Sequence, residues 1–245
     1  VERSRGLGDV YKRQGSVRIF FLSCITWMLC NYIHATSFPP ETITAYKNYI
    51  QRELKHIEGW CSKEKALAMF DLIVKENPKI CVEIGVWGGS SIFPTALALK
   101  LLGNEGIIFA IDPWETEECI KHYVKGDPNF EWWSKVNIQK IYASYVNMLQ
   151  RLNIASQCIT YKETSASAYE KIPYDIDILH IDGNHSEEAS FFDIVTYYPK
   201  VKSGGYIWFD DKNWATTKKA IDYLYENCIY IQMVDNGNCI LFQKP

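Results

Sequence analysis

Hydrophobic and polar positions along the 245-residue chain fall into two regimes. Between Thr42 and Ile57 apolar residues recur at 43, 46, 50, 54 and 57, a helical spacing, and a second helical stretch runs from Ser62 to about Lys75, where Asn77-Pro78 closes it. Beyond Pro78 the pattern becomes an alternation of short apolar, β-rich runs with helical stretches. Strands are predicted at 80–84, 107–111, 158–162, 176–181, 206–209, 230–234 and 239–242, with helices at roughly 90–102, 132–152, 186–198 and 215–226. Such an alternation predicts a doubly wound α/β domain: a mostly parallel sheet of seven strands with crossover helices on both faces. Only Asp235-Asn236-Gly237 separates the last two strands, so a hairpin is expected and the final strand should run antiparallel. The expected organisation is an N-terminal helical cap over 36–77 followed by the α/β domain over 78–245.

The residues before the cap have a different character. Residues 1–14 are polar and do not begin with Met, and are read as a cloning or sequencing artefact. Over 15–35, Arg18 is followed by an apolar run from Ile19 to Cys30 and by Ile33-His34-Ala35, a signal-peptide-like or leader segment too short for a stable membrane span. Secretory targeting is the expectation from this segment alone.

Composition narrows the partners. A formal net charge of −3, with no basic run, excludes a nucleic-acid footprint. Eight Trp and sixteen Tyr exceed what a core of this size needs, so some rings are expected to line a ligand cleft. The eight cysteines show no CxxC spacing and hence no zinc signature. Homo-oligomerisation is left open.

The chemistry-bearing segments sit at strand ends, where ligands bind in open α/β sheets. Glu83 is followed by Gly85-Val86-Trp87-Gly88-Gly89-Ser90, in which Gly85 permits unusual torsions and Gly88-Gly89 permits close approach of a ligand. Trp87 stands where a dinucleotide motif requires its second glycine, which disfavours that ligand class. This segment resembles the first motif of the class I S-adenosylmethionine (SAM) methyltransferases, whose Rossmann-like sheet also ends in an antiparallel hairpin. The resemblance implies that Glu83, Gly85, Val86, Gly89 and Ser90 face the methionine part of SAM, that Asp112 holds the ribose hydroxyls, and that Glu163, Thr164 and Ser165 contact adenine. SAM is made in the cytosol, so this implication pulls against the leader segment, and localisation stays open between secretory and cytoplasmic.

Two further segments, Ile181-Asp182-Gly183-Asn184-His185 and Gly204-Gly205-Tyr206-Ile207-Trp208-Phe209-Asp210-Asp211, would meet at one sheet edge if their strands are neighbours. Three carboxylates crowded there repel one another unless a cation sits among them, and an all-oxygen set suits Mg²⁺. These segments resemble the metal-dependent O-methyltransferases of the macrocin-type sugar branch and the cephalosporin-hydroxylase-like proteins. The resemblance implies Asp182, Asp210 and Asp211 as metal ligands, His185 as the base, and a small hydroxylated acceptor such as a sugar or other diol. His180 reads as core, and Lys212 as a rival base or, more simply, a solvated lysine. The alternatives are a hydroxylase-like relative using another metal and a SAM-binding module without turnover.

The connection over 113–157 is long for an α/β domain and carries Trp114, Trp132 and Trp133. It reads as a lid in which Trp132 or Trp133 stacks on the acceptor, or as crossover packing with the tryptophans as anchors.

Overall fold

The computed structural model describes residues 38–103 and 105–245; the artefact reading of 1–14 and the leader reading of 15–35 fall outside the described residues. Contacts divide the chain at Pro40, and the unit Glu41–Pro245 holds the sheet and its helices. Helix α1 (Pro40–Glu53) opens it and α2 (Lys63–Glu76) comes next. Ser62 caps α2 by accepting from the Lys65 amide at 3.1 Å, and Asn77, in the left-handed region at φ 49°, ends it before Pro78.

The sheet then builds in the anticipated order: β1 (Ile80–Ile84), α3 (Ile92–Leu102), β2 (Ile107–Ile111), the short helices α4 (Thr116–Ile120) and α5 (Pro128–Trp133), α6 (Ile138–Arg151), β3 (Cys158–Tyr161), α7 (Ser165–Ala168), β4 (Ile176–Ile181), α8 (Glu187–Tyr197), β5 (Val201–Phe209), α9 (Lys218–Asn227), β6 (Ile229–Val234) and β7 (Cys239–Gln243). Seven strands lie in the order β3-β2-β1-β4-β5-β7-β6. All neighbouring pairs are parallel except those of β7, which inserts antiparallel between β5 and β6. The turn into β7 draws on three consecutive residues with positive φ, Asp235, Asn236 and Gly237, a conformation those residue types tolerate best.

Two differences from the sequence reading have local causes. The single helix expected over 132–152 is two, because Asn137 caps α6 by accepting from the Lys140 amide at 3.0 Å and so restarts the helix after Trp133. Strand β5 begins five residues before the expected 206, because its register with β4 shifts between Ile176 and Ile178 and the exposed Lys202-Ser203-Gly204 stretch hides the strand pattern.

Each sheet face buries its own apolar layer. One gathers Ile50, Phe70, Phe93, Leu99, Tyr145 and Trp208 under α1, α2, α3 and α6; the other gathers Ile181, Ile194, Tyr197, Ile207, Leu224 and Phe242 under α8 and α9. Strand order reverses between β1 and β4, so the crevice beyond their C-terminal ends is the place where a ligand fits. Among the described residues no helix is long and apolar enough to cross a membrane.

Candidate functional site

A cavity of about 830 Å³ opens at that crevice, within the size range of small-molecule and cofactor sites. Gly85, Val86, Trp87, Ser90, Asp112, Thr164, Ser165, Asp182, His185, Asp210 and Asp211 all line it, as do Trp132 and Trp133. The glycine turn owes its shape to close packing. Gly85 has φ 86° and a Cβ there would fall 1.9 Å from the Asp182 carbonyl oxygen, so the turn lies flat against the end of β4. Gly89 is similarly confined, its Cβ position meeting Met148 at 2.4 Å, so here the close approach anticipated for a ligand is made by α6.

Glu83 and Gly89 are not among the cavity-lining residues. Glu83 is 1% exposed; its Oε1 accepts from Ser91 Oγ at 2.6 Å, and its Oε2 lies 3.0 Å from His180 Nδ1 but off the hydrogen-bonding direction, so that contact is ionic. Asp112 braces the turn: Oδ2 accepts from the Val86 and Trp87 amides at 3.0 and 2.9 Å, and Oδ1 from the Trp114 amide at 2.8 Å. With about four acceptor positions on a carboxylate, one remains for the cavity. Thr164 caps α7, and Ser165 Oγ donates to Asp193 Oδ1 at 2.5 Å. Asp193 is 4% exposed, and burial pushes its carboxyl up to about 7 against the pull of that hydrogen bond.

Parallel pairing of β4 with β5 brings Asp182, Asp210 and Asp211 together, as the spacing anticipated, but not as one set. Asp210 and Asp211 follow the end of β5, and with Asp211 in the left-handed region at φ 58° the two meet different partners. Asp211 Oδ2 is 2.7 Å from His185 Nε2, and His185 packs against Trp214 at 5.0 Å between ring centroids. Burial opposes a proton on His185, yet the Asp211 carboxylate raises it above the ordinary histidine value. Asp210, 5% exposed, contacts Lys65 Nζ and lies 2.6 Å from His180 Nε2. Burial works against its charge, but the Lys65 ammonium and His180 hold its carboxyl below the usual range. Asp182 lies between the two groups, with Oδ2 3.2 Å from Lys65 Nζ; burial and the Asp210 charge push its carboxyl upward. Ligand atoms within 4.8 Å of one another form two overlapping groups, His180/Asp182/Asp210 and Asp182/His185/Asp211.

Four participants escaped the sequence reading. Lys65 had an available signal: it falls on the buried stripe of α2 with Ala66, Met69, Phe70, Leu72 and Ile73, an unusual place for an ammonium. His180, read as core, is buried but charge-paired; burial and Lys65 both oppose its proton, while Glu83 and Asp210 outweigh them and raise it to about 9. Asn184 donates from Nδ2 to the carbonyls of Glu118, Cys119 and Lys121 at 3.4, 3.3 and 3.2 Å, tying the β4–α8 turn to α4, and nothing in sequence spacing shows this. Trp60 joins Trp87, Trp132 and Trp133 in a cluster on the cavity wall, with centroid separations of 5.2 Å to Trp87 and 5.8 Å to Trp132.

Comparison with known proteins identifies the family and the fold. A family model described as a methyltransferase domain matches residues 82–212, just over half of the chain and the stretch that holds the glycine turn, Asp112, Asp182, His185, Asp210 and Asp211. Among curated proteins, the uncharacterized protein R132 of Acanthamoeba polyphaga mimivirus is 33% identical over 130 residues, covering 53% of this chain and 50% of that protein. The chain thus spans about half the length of that relative. Among solved structures, the O-methyltransferase NovP is similar with a TM-score of 0.58 at 17% identity, over 72% of this chain and 76% of that one. The O-methyltransferase TomG from Streptomyces achromogenes, solved in complex with SAM, gives a TM-score of 0.55 at 14% identity over 94% and 96% of the two chains. An O-methyltransferase from Bacillus cereus, solved with SAH, gives 0.55 at 11% identity over 87% and 96%. At these identities the structural likeness speaks for the fold alone.

Proposed function

The chain belongs to the methyltransferase-domain family, and from that premise we propose that it transfers the methyl group of SAM to a hydroxyl of a small acceptor, a sugar-like molecule or other diol. The observation that carries this reading is that the His185–Asp211 pair and Asp182 share one cavity with the glycine turn and Asp112. Val86, Trp87, Ser90, Thr164 and Ser165 line the cavity, where the Ser90 hydroxyl hydrogen and the remaining acceptor capacity of Asp112 fit an amino-acid and ribose-bearing cofactor. When bound, SAM supplies an electrophilic methyl group on sulfur.

The residues also fit a divalent ion, with Asp182 and Asp211 as its carboxylates. Their ligand atoms lie within 4.8 Å of each other, both face the cavity, and Mg²⁺ commonly uses one or two protein carboxylates and keeps several waters. When bound, Mg²⁺ supplies Lewis acidity that lowers the pKa of an acceptor hydroxyl.

The chain's own part is to position the acceptor and take its proton. Asp211 accepting from Nε2–H leaves Nδ1 as the basic nitrogen of His185, so the aspartate fixes the tautomer as well as the ring. Trp132 and Trp133, on the cavity wall, cover the acceptor and offer a face on which a ring stacks. Substituting His185→Ala tests the base role: methyl transfer should fall by about 10²–10⁴-fold while SAM affinity by calorimetry stays unchanged. Undiminished turnover would remove His185 from the mechanism, and full activity after chelation would remove the metal.

A further inference from the structure

The most buried cation in the cavity wall takes no part in the proton transfer assigned to His185. Lys65 is 2% exposed, stands in the first turn of α2, contacts Asp210 and lies 3.2 Å from Asp182 Oδ2. An ammonium in an apolar helix stripe is retained only where carboxylates repay its lost hydration, and here two of them converge on it. It touches two members, Asp182 and Asp210, of one of the two groups able to hold a metal, His180/Asp182/Asp210, and one member, Asp182, of the other, Asp182/His185/Asp211. The Oδ2 of Asp210 is engaged twice over, by Lys65 and by His180 Nε2 at 2.6 Å.

We propose that Lys65 is the built-in counter-cation of the carboxylate cluster: it withdraws Asp210 from metal coordination and confines a divalent ion to the Asp182–Asp211–His185 side. The inference rests on the metal-dependent part of the proposed function and departs from the expectation that all three aspartates are ligands. A lone pair given to an ammonium is not available to a metal, and a fixed positive charge beside Asp182 Oδ2 repels a second cation. Lys65 therefore sets how tightly and on which side the ion binds, without touching the reacting atoms. It is a positioning residue.

The test is Mn²⁺ titration by calorimetry on the full chain, comparing wild type with Lys65→Met, Asp210→Asn, Asp211→Asn and the Lys65→Met/Asp210→Asn double variant. Lys65→Met is expected to bind Mn²⁺ at least tenfold more tightly, because Asp210 becomes a ligand and the repelling charge is gone; the double variant should lose that gain. In the wild-type background Asp210→Asn should leave Mn²⁺ affinity within about threefold, whereas Asp211→Asn should abolish binding. A lysine of merely structural importance predicts weaker binding in Lys65→Met, and that result, or unchanged affinity, overturns the inference. If Lys65→Met does not fold, Asp210→Asn decides alone: loss of Mn²⁺ binding there makes Asp210 a ligand and overturns the proposal. Binding by Lys65→Met but not by wild type supports the counter-cation role while removing metal dependence from the function. Absence of binding in every variant overturns the proposal, and leaves methyl transfer itself to be judged by turnover in chelator.

Discussion

His185 Nε2 stands 2.7 Å from Asp211 Oδ2, and the aspartate reaches it from a backbone held in the left-handed region at φ 58°. A non-glycine residue there costs about 1–2 kcal/mol, a strain that clusters at functional sites because the surrounding structure must impose it. The imposing contacts are visible: Thr217 Oγ1 donates to the Asp211 carbonyl at 2.8 Å, and the Trp214 amide donates to the same carbonyl at 3.0 Å.

Stability and activity should therefore separate at this residue. Asp211→Gly removes the strain together with the carboxylate, so thermal unfolding should show it more stable than Asp211→Ala by about 1 kcal/mol. Both variants should lose at least about 100-fold in methyl transfer, since the His185 ring loses its orienting partner. Comparable turnover in Asp211→Gly and wild type would show that the strained aspartate serves the turn and not the chemistry.

Most of the fold was legible because most strands carry an apolar run and most turns a glycine, a proline, an Asx residue or a capping hydroxyl, signals that survive without knowledge of the tertiary partners. The hairpin at Asp235-Asn236-Gly237 is of this kind, and so is the cap at Ser186, which accepts from the Ala189 amide at 3.3 Å. The site was legible as far as strand ends reach: Asp182, His185, Asp210 and Asp211 converge because β4 and β5 are neighbours. Three crowded carboxylates do demand a cation, but part of that demand is met by Lys65, which is 117 residues from Asp182 in sequence and arrives on α2. Spacing near the aspartates could not reveal it, because α2 read as a helix capping one face of the domain. Gly88 and Gly89 illustrate the same limit, since a glycine marks close approach without saying whether ligand or protein approaches.

A pH dependence of stability should trace to Asp193. Burial raises its carboxyl to about 7 in the folded chain from an ordinary value near 3.8. Below about pH 4 the group is protonated folded and unfolded alike and has no effect. As pH rises from there to about 7 the unfolded chain ionises while the folded one resists, so stability falls, and the full penalty applies above 7. Asp193→Asn keeps the acceptor for Ser165 Oγ and removes the ionisation. Denaturant unfolding should find the variant more stable than wild type at pH 8, on the order of a few kcal/mol, and nearly equal to it at pH 4. Parallel pH profiles for the two proteins would mean that Asp193 ionises in the folded state at its ordinary pH.

The three carbonyls gathered by Asn184 make that residue a fastening between the β4–α8 turn and the segment after β2. Asn184→Asp is nearly isosteric but presents carboxylate oxygens to carbonyl oxygens, exchanging attraction for repulsion. Limited trypsinolysis should then cut faster after Lys121, whose carbonyl is one of the three acceptors, while the core stays intact. Since Asn184 and Lys121 both line the cavity, ligand affinity should fall in the same variant. Cleavage kinetics indistinguishable from wild type would show that the segment is held by other contacts.

The tryptophans divide into those that hold the wall and those free to meet a ligand. Trp114 is 1% exposed, stacks on Tyr145 at 5.1 Å and donates from Nε1 to the Trp87 carbonyl at 2.9 Å, so Trp114→Ala should cost about 3–5 kcal/mol and be read in unfolding. Trp132 is 46% exposed, and its contacts are with other rings: Trp133 at 4.7 Å, Trp60 at 5.8 Å and Trp87 at 6.1 Å. Global stability of Trp132→Ala should therefore stay within about 1 kcal/mol of wild type, as for other substitutions away from the core. If Trp132 stacks on the acceptor, losing a ring contact worth about 1 kcal/mol or more should raise the acceptor's apparent KM several-fold, with a smaller effect on SAM affinity than on the acceptor. Trp133, packed edge-on against Trp87 at 5.3 Å, should shift both when replaced, because Trp87 belongs to the glycine turn proposed to seat SAM. An acceptor KM unmoved by Trp132→Ala would assign the cluster to anchoring α5 and take the stacking role away from it.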